Sequence, residues 1–298
     1  MAGSIAASSS IQRCWVDDPG AMSVRKTILI TGASGSMGGK ARRYLEALGR
    51  YDLRLFTYRN PHDDPALVQA DLSVWDENWV RQFEGVDVVL HMAADPSPTS
   101  SWESIQRLDI DMLLNVFLAT AKMKAKRLVF ASSNWVLAGH RFDDEPLSLE
   151  TSPFPINPYG SAKLFAERFG KALAEREGIS VICLRIGYCR RDVAENRPGP
   201  DMRLGRWGQQ MWLSDGDWER LVERSIDAED VSFAVVNAVS DNAGMRWSLD
   251  EGERLLQWRP RDRHVPVTTL PMRVTEWFAR RRYRQIRRWL GRFPGWTW

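Results

Sequence analysis

Tyr159-Gly-Ser-Ala-Lys163 sets a phenol and an amine four residues apart at the start of a segment with helical spacing, so both side chains lie on one face. A free phenol titrates at about 10 and is a poor base at neutral pH, but a neighbouring ammonium or a nicotinamide cation favours its ionised form. The pair can then exchange a proton with a substrate hydroxyl. Alone, such a pair is commonly a coincidence of a helix surface. Here Ala131-Ser-Ser-Asn-Trp-Val136 comes before it, and the Ser132-Ser133 pair closes an apolar run. A hydroxyl at a strand end can hold the oxygen that reacts.

Thr27-Ile-Leu-Ile-Thr-Gly-Ala-Ser-Gly-Ser-Met-Gly-Gly39 supplies a second chemistry. Gly32, Gly35 and Gly38 follow a buried-type strand and open a helical pattern. In this context the first glycine permits a tight turn, the second lets backbone approach a pyrophosphate, and the third allows close helix packing, with the helix N-terminus facing phosphate. The reading is a dinucleotide site; the alternative is a merely tight strand-to-helix turn. The next strand ends Leu55-Phe56-Thr57-Tyr58-Arg59 with no acid to bind a ribose diol. NADP is therefore favoured over NAD, with Arg59 meeting the 2′-phosphate, although a single loop arginine can equally be a solvated surface cation. Asp71-Leu72, after the short run Val68-Gln69-Ala70, is placed to meet the adenine edge, or else Asp71 caps a helix before Trp75.

These groups need a scaffold. Thr27–Thr31, Leu53–Tyr58, Val86–His91, Arg127–Ala131 and Val181–Arg185 read as strands, and Met37–Leu48, Ser101–Lys122 and Pro158–Glu177 as helices between them. Near-continuous apolar strands alternating with helices predict an α/β fold, a doubly wound parallel (Rossmann) sheet covered on both faces. That domain spans residues 25–190, and residues 191–265 form a small C-terminal substrate lobe interleaved with its sheet. Residues 190–210 read as a long loop rich in Gly, Pro and charge. Asp217–Ile226 reads as a helix, Phe233–Val239 as a strand, and Ser248–Trp258 as a helix opened by a Ser248-x-x-Glu251 capping box. Residues 1–24, Ser/Ala-rich and without period, read as a flexible arm, inside which Met22 offers a start.

The 298 residues carry a net charge of +3, but residues 271–298 hold eight arginines against Glu276, leaving the remainder of the chain at −4. No apolar run is long enough to span a membrane and no secretory signal opens the chain, so a cytoplasmic location is expected. Cys14, Cys183 and Cys189 are odd in number and unclustered, and His62, His91, His140 and His264 are scattered; free thiols and no metal site are expected.

The ordered set TGASGSMG, Asp71-Leu72, His91-Met-Ala-Ala94, FASSNWV (Phe130–Val136) and YGSAK resembles the extended short-chain dehydrogenase/reductases, the NAD-dependent epimerase/dehydratase family, over residues 25–265. Within it the chain is most similar to uronate dehydrogenases, through FASSN, Arg185-Ile-Gly-Tyr-Cys189, the cluster Trp212-Leu-Ser-Asp-Gly-Asp217 and a late GMRW. The resemblance implies that Tyr159 is the general acid/base, that Lys163 holds the ribose and lowers the tyrosine pKa, and that Ser133, three before Val136, orients substrate. It implies cofactor contacts from Gly32, Ser34, Gly35, Ser36, Met37, Gly38, Arg59, Asp71, Leu72, Met92, Ala93, Ala94, Tyr159, Lys163 and Ile186. Asn134 and Trp135 would line the sugar pocket, Ser97 would bind substrate unless it only shapes its turn, and Arg203 or Arg206 would grip a carboxylate. Two departures stand out: Thr57 replaces the NAD-selecting acid, and Asp109 replaces the asparagine of many relatives, which alters the proton relay.

The implied function is NAD(P)-dependent hydride transfer at a hydroxyl carbon of a small sugar or sugar acid. The alternatives are a sugar-nucleotide epimerase or dehydratase and, from another class, a non-catalytic NADP-binding sensor. A homodimer through Ser101–Lys122 and Pro158–Glu177 is expected. The tail sets Phe278, Arg282, Ile286 and Leu290 at a spacing of four beside Trp289. A basic amphipathic helix of this kind either touches an anionic membrane surface weakly or packs on the body or a neighbouring subunit. No nucleic-acid module is recognised.

Overall fold

The computed structural model describes residues 25–60, 63–191 and 195–290. The arm 1–24 with Cys14 and Met22, His62, and the last residues of the tail lie outside the described residues, as do the side chains of Ile286, Trp289 and Leu290. Seven strands form one sheet: β1 (Lys26–Thr31), β2 (Tyr51–Thr57), β3 (Leu67–Gln69), β4 (Val88–His91), β5 (Arg127–Ser133), β6 (Ser180–Ile186) and β7 (Phe233–Ala238). All pair in parallel in the order β3-β2-β1-β4-β5-β6-β7. Strand order reverses between β1 and β4, and in open α/β sheets the crevice at such a switch point is where ligands bind.

The continuous apolar strands follow from burial on both faces. Ile28, Ile30, Leu90, Val129 and Leu184 face one layer, with Trp218 and Leu221. Leu29, Val89, Leu128, Phe130 and Cys183 face the other, with Val116 and Phe117. The helices are α1 (Ser36–Leu48), α2 (Glu77–Val80), α3 (Trp102–Ile105), α4 (Met112–Lys122), α5 (Pro158–Glu177), α6 (Arg206–Gln210), α7 (Asp215–Asp227), α8 (Asp250–Leu256) and α9 (Leu270–Leu290). Asn157 caps α5 by accepting the Gly160 N–H at 2.8 Å, Pro158 occupies its first turn, and Gly178 at φ 68° ends it.

Four expectations are corrected. Ser101–Lys122 is not one α-helix: a π-helical turn, Gln106–Asp111, separates α3 from α4, and it carries the buried Asp109. Widened turns of this kind occur where a side chain must be re-aimed. The loop expected over 190–210 contains α6. The capping box at Ser248 does not form, because α8 starts at Asp250, Ser248 Oγ bonds the Asp250 carboxylate at 2.8 Å, and Glu251 is taken by Arg254. Asp71 caps no helix before Trp75; that role falls to Asp76, which accepts the Asn78 N–H at 2.8 Å.

Part of residues 191–265 lies within the sheet: β7 pairs with β6, and α7 packs on α1, where Trp218 Nε1 donates to the Met37 carbonyl at 3.3 Å. What stands over the strand ends is residues 187–191 and 195–213. Among the described residues no helix is long and apolar enough to cross a membrane.

Candidate functional site

The glycine loop leaves β1 with Gly32 at φ 68°, where a side chain is strained. A Cβ there would stand 2.9 Å from the Ala93 backbone, and one on Gly38 would stand 2.2 Å from the Gly32 carbonyl oxygen. These two glycines therefore let β1, the segment after β4 and α1 converge on one point. Gly35 caps α1 without a side chain, so the N–H groups of the first turn stay open toward the crevice. That crevice, about 210 Å³, is lined by Gly32, Gly35–Gly38, Met92–Ala94, Ser133, Tyr159, Lys163 and Ile186. A backbone cradle beside an uncapped helix N-terminus fits the pyrophosphate of a dinucleotide.

The segment after β2 is built differently. Ser34 Oγ lies 2.5 Å from Thr57 Oγ1, which donates to the Arg59 carbonyl at 2.8 Å. Arg59 is exposed, its guanidinium 5.8 Å from the Tyr58 ring, and no carboxylate engages it among the described residues. Arg107 also lies over this ring, at 5.3 Å, and binds Asp71, which accepts the Ser73 N–H at 3.0 Å. Asp71 is thus held by its own turn and by Arg107. Leu72 is buried with Phe56 and Trp79.

Next along the cleft is a wider chamber of about 520 Å³, lined by Pro96–Thr99, Ser133, Trp135, Tyr159, Gly187–Cys189, Arg191, Arg203 and Leu204. Ser133, Tyr159, Cys189 and Arg191 line both spaces and mark their junction. Local packing accounts for the meeting of Ser133 and Tyr159. A Cβ on Gly160 would stand 2.6 Å from the Trp135 carbonyl, so α5 seats directly on the segment after β5. Asn157 Nδ2 donates to the Pro98 carbonyl at 2.9 Å and ties the same helix start to the Pro96–Thr99 wall. The two serines part company: Ser132 Oγ donates to the buried Glu167 at 2.6 Å, whereas Ser133 faces the junction. Glu167 in turn takes a two-pronged contact from Arg185 on β6, at 2.8 and 2.9 Å, which fixes α5 against the sheet.

Lys163, one turn past Tyr159, is buried with its Nζ 2.9 Å from Asp109 Oδ1 and 5.4 Å from the Tyr159 ring centroid. Burial disfavours the ammonium, but the facing Asp109 carboxylate, with Tyr159 and Asp95 adding to it, outweighs that and holds Lys163 above the ordinary lysine value. Burial likewise pushes Asp109 up, against the pull of Lys163. His91, at the end of β4, donates to or accepts from Thr31 Oγ1 at 2.7 Å; burial first, and the Lys163 charge second, depress it to about 3, so it is neutral.

The structure brings Gly32, Gly35, Ser36, Met37, Gly38, Met92, Ala93, Ala94, Ser133, Tyr159, Lys163 and Ile186 to the crevice, and Ser97, Trp135 and Arg203 to the chamber. It does not bring Arg206, whose guanidinium lies beside Gly244, because α6 turns that face outward. Asn134 is buried outside both linings, since the turn following β5 rotates it under the chain. Ser97 also shapes its own turn, its Oγ 3.1 Å from Thr99 Oγ1. Sequence reasoning missed Arg191, Tyr188, Cys189, Thr99 and Leu204. For Arg191 a signal existed: Arg190-Arg191 follows Cys189 directly, and Arg190 is spent on Asp201 at 2.7 Å, leaving its neighbour for the cleft.

The sequence profile of the NAD dependent epimerase/dehydratase family matches residues 28–188. The chain is 33% identical to an L-arabinose 1-dehydrogenase (NAD(P)(+)) of Haloferax volcanii, over 80% of this chain and 98% of the relative. It is 31% identical to an NAD-dependent glucose-6-phosphate dehydrogenase of the same organism, over 81% of this chain and 95% of that protein. Among solved structures, a uronate dehydrogenase from Agrobacterium tumefaciens in complex with NAD superposes with a TM-score of 0.66 at 28% identity, covering 80% of this chain and 86% of that one.

Proposed function

Because this chain belongs to the NAD dependent epimerase/dehydratase family, we propose that it is an NAD(P)-dependent oxidoreductase acting on a hydroxyl carbon of a small sugar or sugar acid. One observation carries the reading: Tyr159 and Ser133 stand in the shared wall between a pyrophosphate-shaped crevice and a chamber of about 520 Å³. When bound, the dinucleotide supplies the hydride acceptor or donor. The crevice residues Gly32, Gly35–Gly38 and Met92–Ala94 would hold it, and Lys163 would reach its nicotinamide ribose.

Every other contribution belongs to the chain. Ser133 holds the substrate oxygen by hydrogen bond. The Tyr159 hydroxyl takes the proton from that oxygen during oxidation and returns it during reduction. The Lys163 ammonium stabilises negative charge as it develops on the phenol oxygen. Trp135, Tyr188 and Leu204 give the chamber apolar walls that limit water, while Arg203 offers a bidentate grip to a carboxylate or phosphate on the substrate. A chamber of that volume accommodates one sugar ring and its anionic group. Arg59, with no acidic partner among the described residues, inclines the cofactor choice toward NADP over NAD.

The same reading extends to assembly and location. Leu118 on α4 and Phe165 on α5 are exposed, as a homodimer packed through these helices requires. The tail helix docks by Tyr283, which packs on Phe142 at 5.4 Å, and leaves Trp277 and Phe278 more than half exposed. That face is available to weak contact with an anionic membrane surface. The protein works in the cytoplasm on this reading.

The test is nicotinamide reduction with aldoses, uronic acids and sugar phosphates, each with NAD and NADP. Turnover of at least one sugar is expected. Micromolar cofactor binding with no turnover of any would replace this reading with that of a sensor, and conversion of a sugar nucleotide to a new product without net nicotinamide reduction, followed by chromatography, would favour the epimerase or dehydratase alternative.

A further inference from the structure

Beyond the Tyr-Lys pair, one group at the junction has no role in the scheme above: the carboxyl of Asp109. It arrives from the π-helical turn Gln106–Asp111, fully buried, and faces a lysine that is 2% exposed. Its Oδ1 stands 2.9 Å from Lys163 Nζ and its Oδ2 accepts the Asp95 N–H at 3.2 Å. Among the described residues Lys163 has no other ion pair or hydrogen bond; its remaining neighbours are the faces of Phe130 at 5.0 Å and Tyr159 at 5.4 Å.

An ammonium buried against two aromatic rings does not keep its proton through the alkaline range, because desolvation penalises the charged form. Of the other ionisable groups near it, Tyr159 and Asp95 also favour its charge, but among the described residues only Asp109 sets a carboxylate oxygen against Nζ. His91 on β4 is neutral. Asp95, on the segment after β4, is engaged by Ser104 and by the Ser97 N–H. Glu167, one turn along α5, is neutralised by Arg185 on β6.

We propose that Asp109 is a positioning residue of the reaction: its carboxylate fixes the Lys163 side chain at the crevice floor and keeps it an ammonium at the alkaline pH that favours alcohol oxidation. The proposal rests on the functional reading above, in which Lys163 serves proton transfer. An uncharged amide at this place would hold the amine by hydrogen bonding but would not supply the opposite charge. The cost is a carboxylate and an ammonium both withdrawn from water, which is tolerated only because each is the other's partner.

Asp109→Asn tests this, since it keeps the shape while removing the charge; its single oxygen accepts either from the Lys163 amine or from the Asp95 N–H, not from both. In the cofactor-free protein, the 15Nζ shift of Lys163 followed from pH 7 to 11 should report an ammonium in the wild type persisting past 10.5, the value of an ordinary lysine. In D109N it should titrate at least about one pH unit lower. With cofactor and substrate, kcat for D109N should acquire a falling alkaline limb that the wild type lacks over that range, with the cofactor KM at pH 7 within about threefold. Equal Lys163 titrations, or superimposable kcat profiles, would overturn the proposal. Should D109N not fold, the wild-type titration alone decides: a Lys163 that loses its proton below 10.5 overturns it. Wild-type turnover with superimposable profiles sinks this proposal alone, whereas no wild-type turnover on any sugar sinks the reading beneath it.

Discussion

The junction and the chamber beside it are built on opposite principles. At the junction Tyr159, Lys163, Asp109, His91 and Ser133 are buried, and each is placed by a strand end or by a helix seated on backbone. In the chamber Arg203 is an exposed side chain on an irregular segment, as is Arg191 where the two spaces meet, and no carboxylate is among the described chamber-lining residues. The contrast teaches where precision is stored. Proton transfer needs groups held within hydrogen-bond reach and screened from water, so it sits on rigid elements. On the proposed function, substrate choice falls to loops, which can change without disturbing the sheet.

The comparison can be broken at the junction first. Tyr159→Phe should lower kcat by about 10² to 10⁴, the range for a lost general acid/base, while cofactor affinity measured by fluorescence quenching stays within about twofold. Near wild-type turnover in Y159F would remove the phenol from the chemistry.

Burial of the same layer should appear in the acid stability of the cofactor-free protein. His91 is depressed from 6.5 to about 3 by burial. Its folded-state value lies below the unfolded one, so the stability it contributes is present above pH 6.5 and is lost as pH falls toward 3, at up to about 1.4 kcal/mol per pH unit. Melting temperatures of the wild type and His91→Gln, measured between pH 3 and 8, should converge toward acid. A gap that is constant with pH would show that His91 does not titrate in this window.

The chamber should respond in binding rather than in chemistry. Arg203→Met is expected to raise the substrate KM by about 10- to 100-fold, as for a lost charged hydrogen bond of about 1.5–3 kcal/mol, with kcat within about threefold. An equal fall in kcat would move Arg203 into the transition state and erase the distinction between the two regions. The smallest effect belongs to Arg59, which is exposed: Arg59→Ala should cut the ratio of kcat/KM for NADP over NAD by about fivefold, the scale of a surface ion pair of about 1 kcal/mol. An unchanged ratio would leave Arg59 a solvated cation.

Legibility followed the same division. The strands, α1, α5 and the Gly32/Gly35/Gly38 turn announce themselves because burial on both faces, helical period and glycine spacing are local patterns. Tyr159 and Lys163 were legible because four residues on a helix is itself a distance. The chamber was not: Arg206 and Asn134 had suitable types in suitable segments, yet α6 and the turn after β5 point them elsewhere, and Arg191 entered because Asp201 occupies Arg190. The π-helical turn that delivers Asp109 was invisible too, since the apolar period of 101–122 runs on through it.

By itself, then, the order of residues determined a doubly wound sheet, a glycine turn between strand and helix and a phenol-amine pair, each of which depends on neighbours within a few positions. Tertiary structure alone showed that the Ser132 hydroxyl is spent on Glu167, although that residue also lines the crevice, while Ser133 lines both spaces, and it alone decided which arginines line the chamber. It also decided that a carboxylate 54 residues earlier in the chain, Asp109, is the partner of Lys163. Such choices depend on which groups compete for a buried charge or hydrogen bond, and those competitors come from distant parts of the chain.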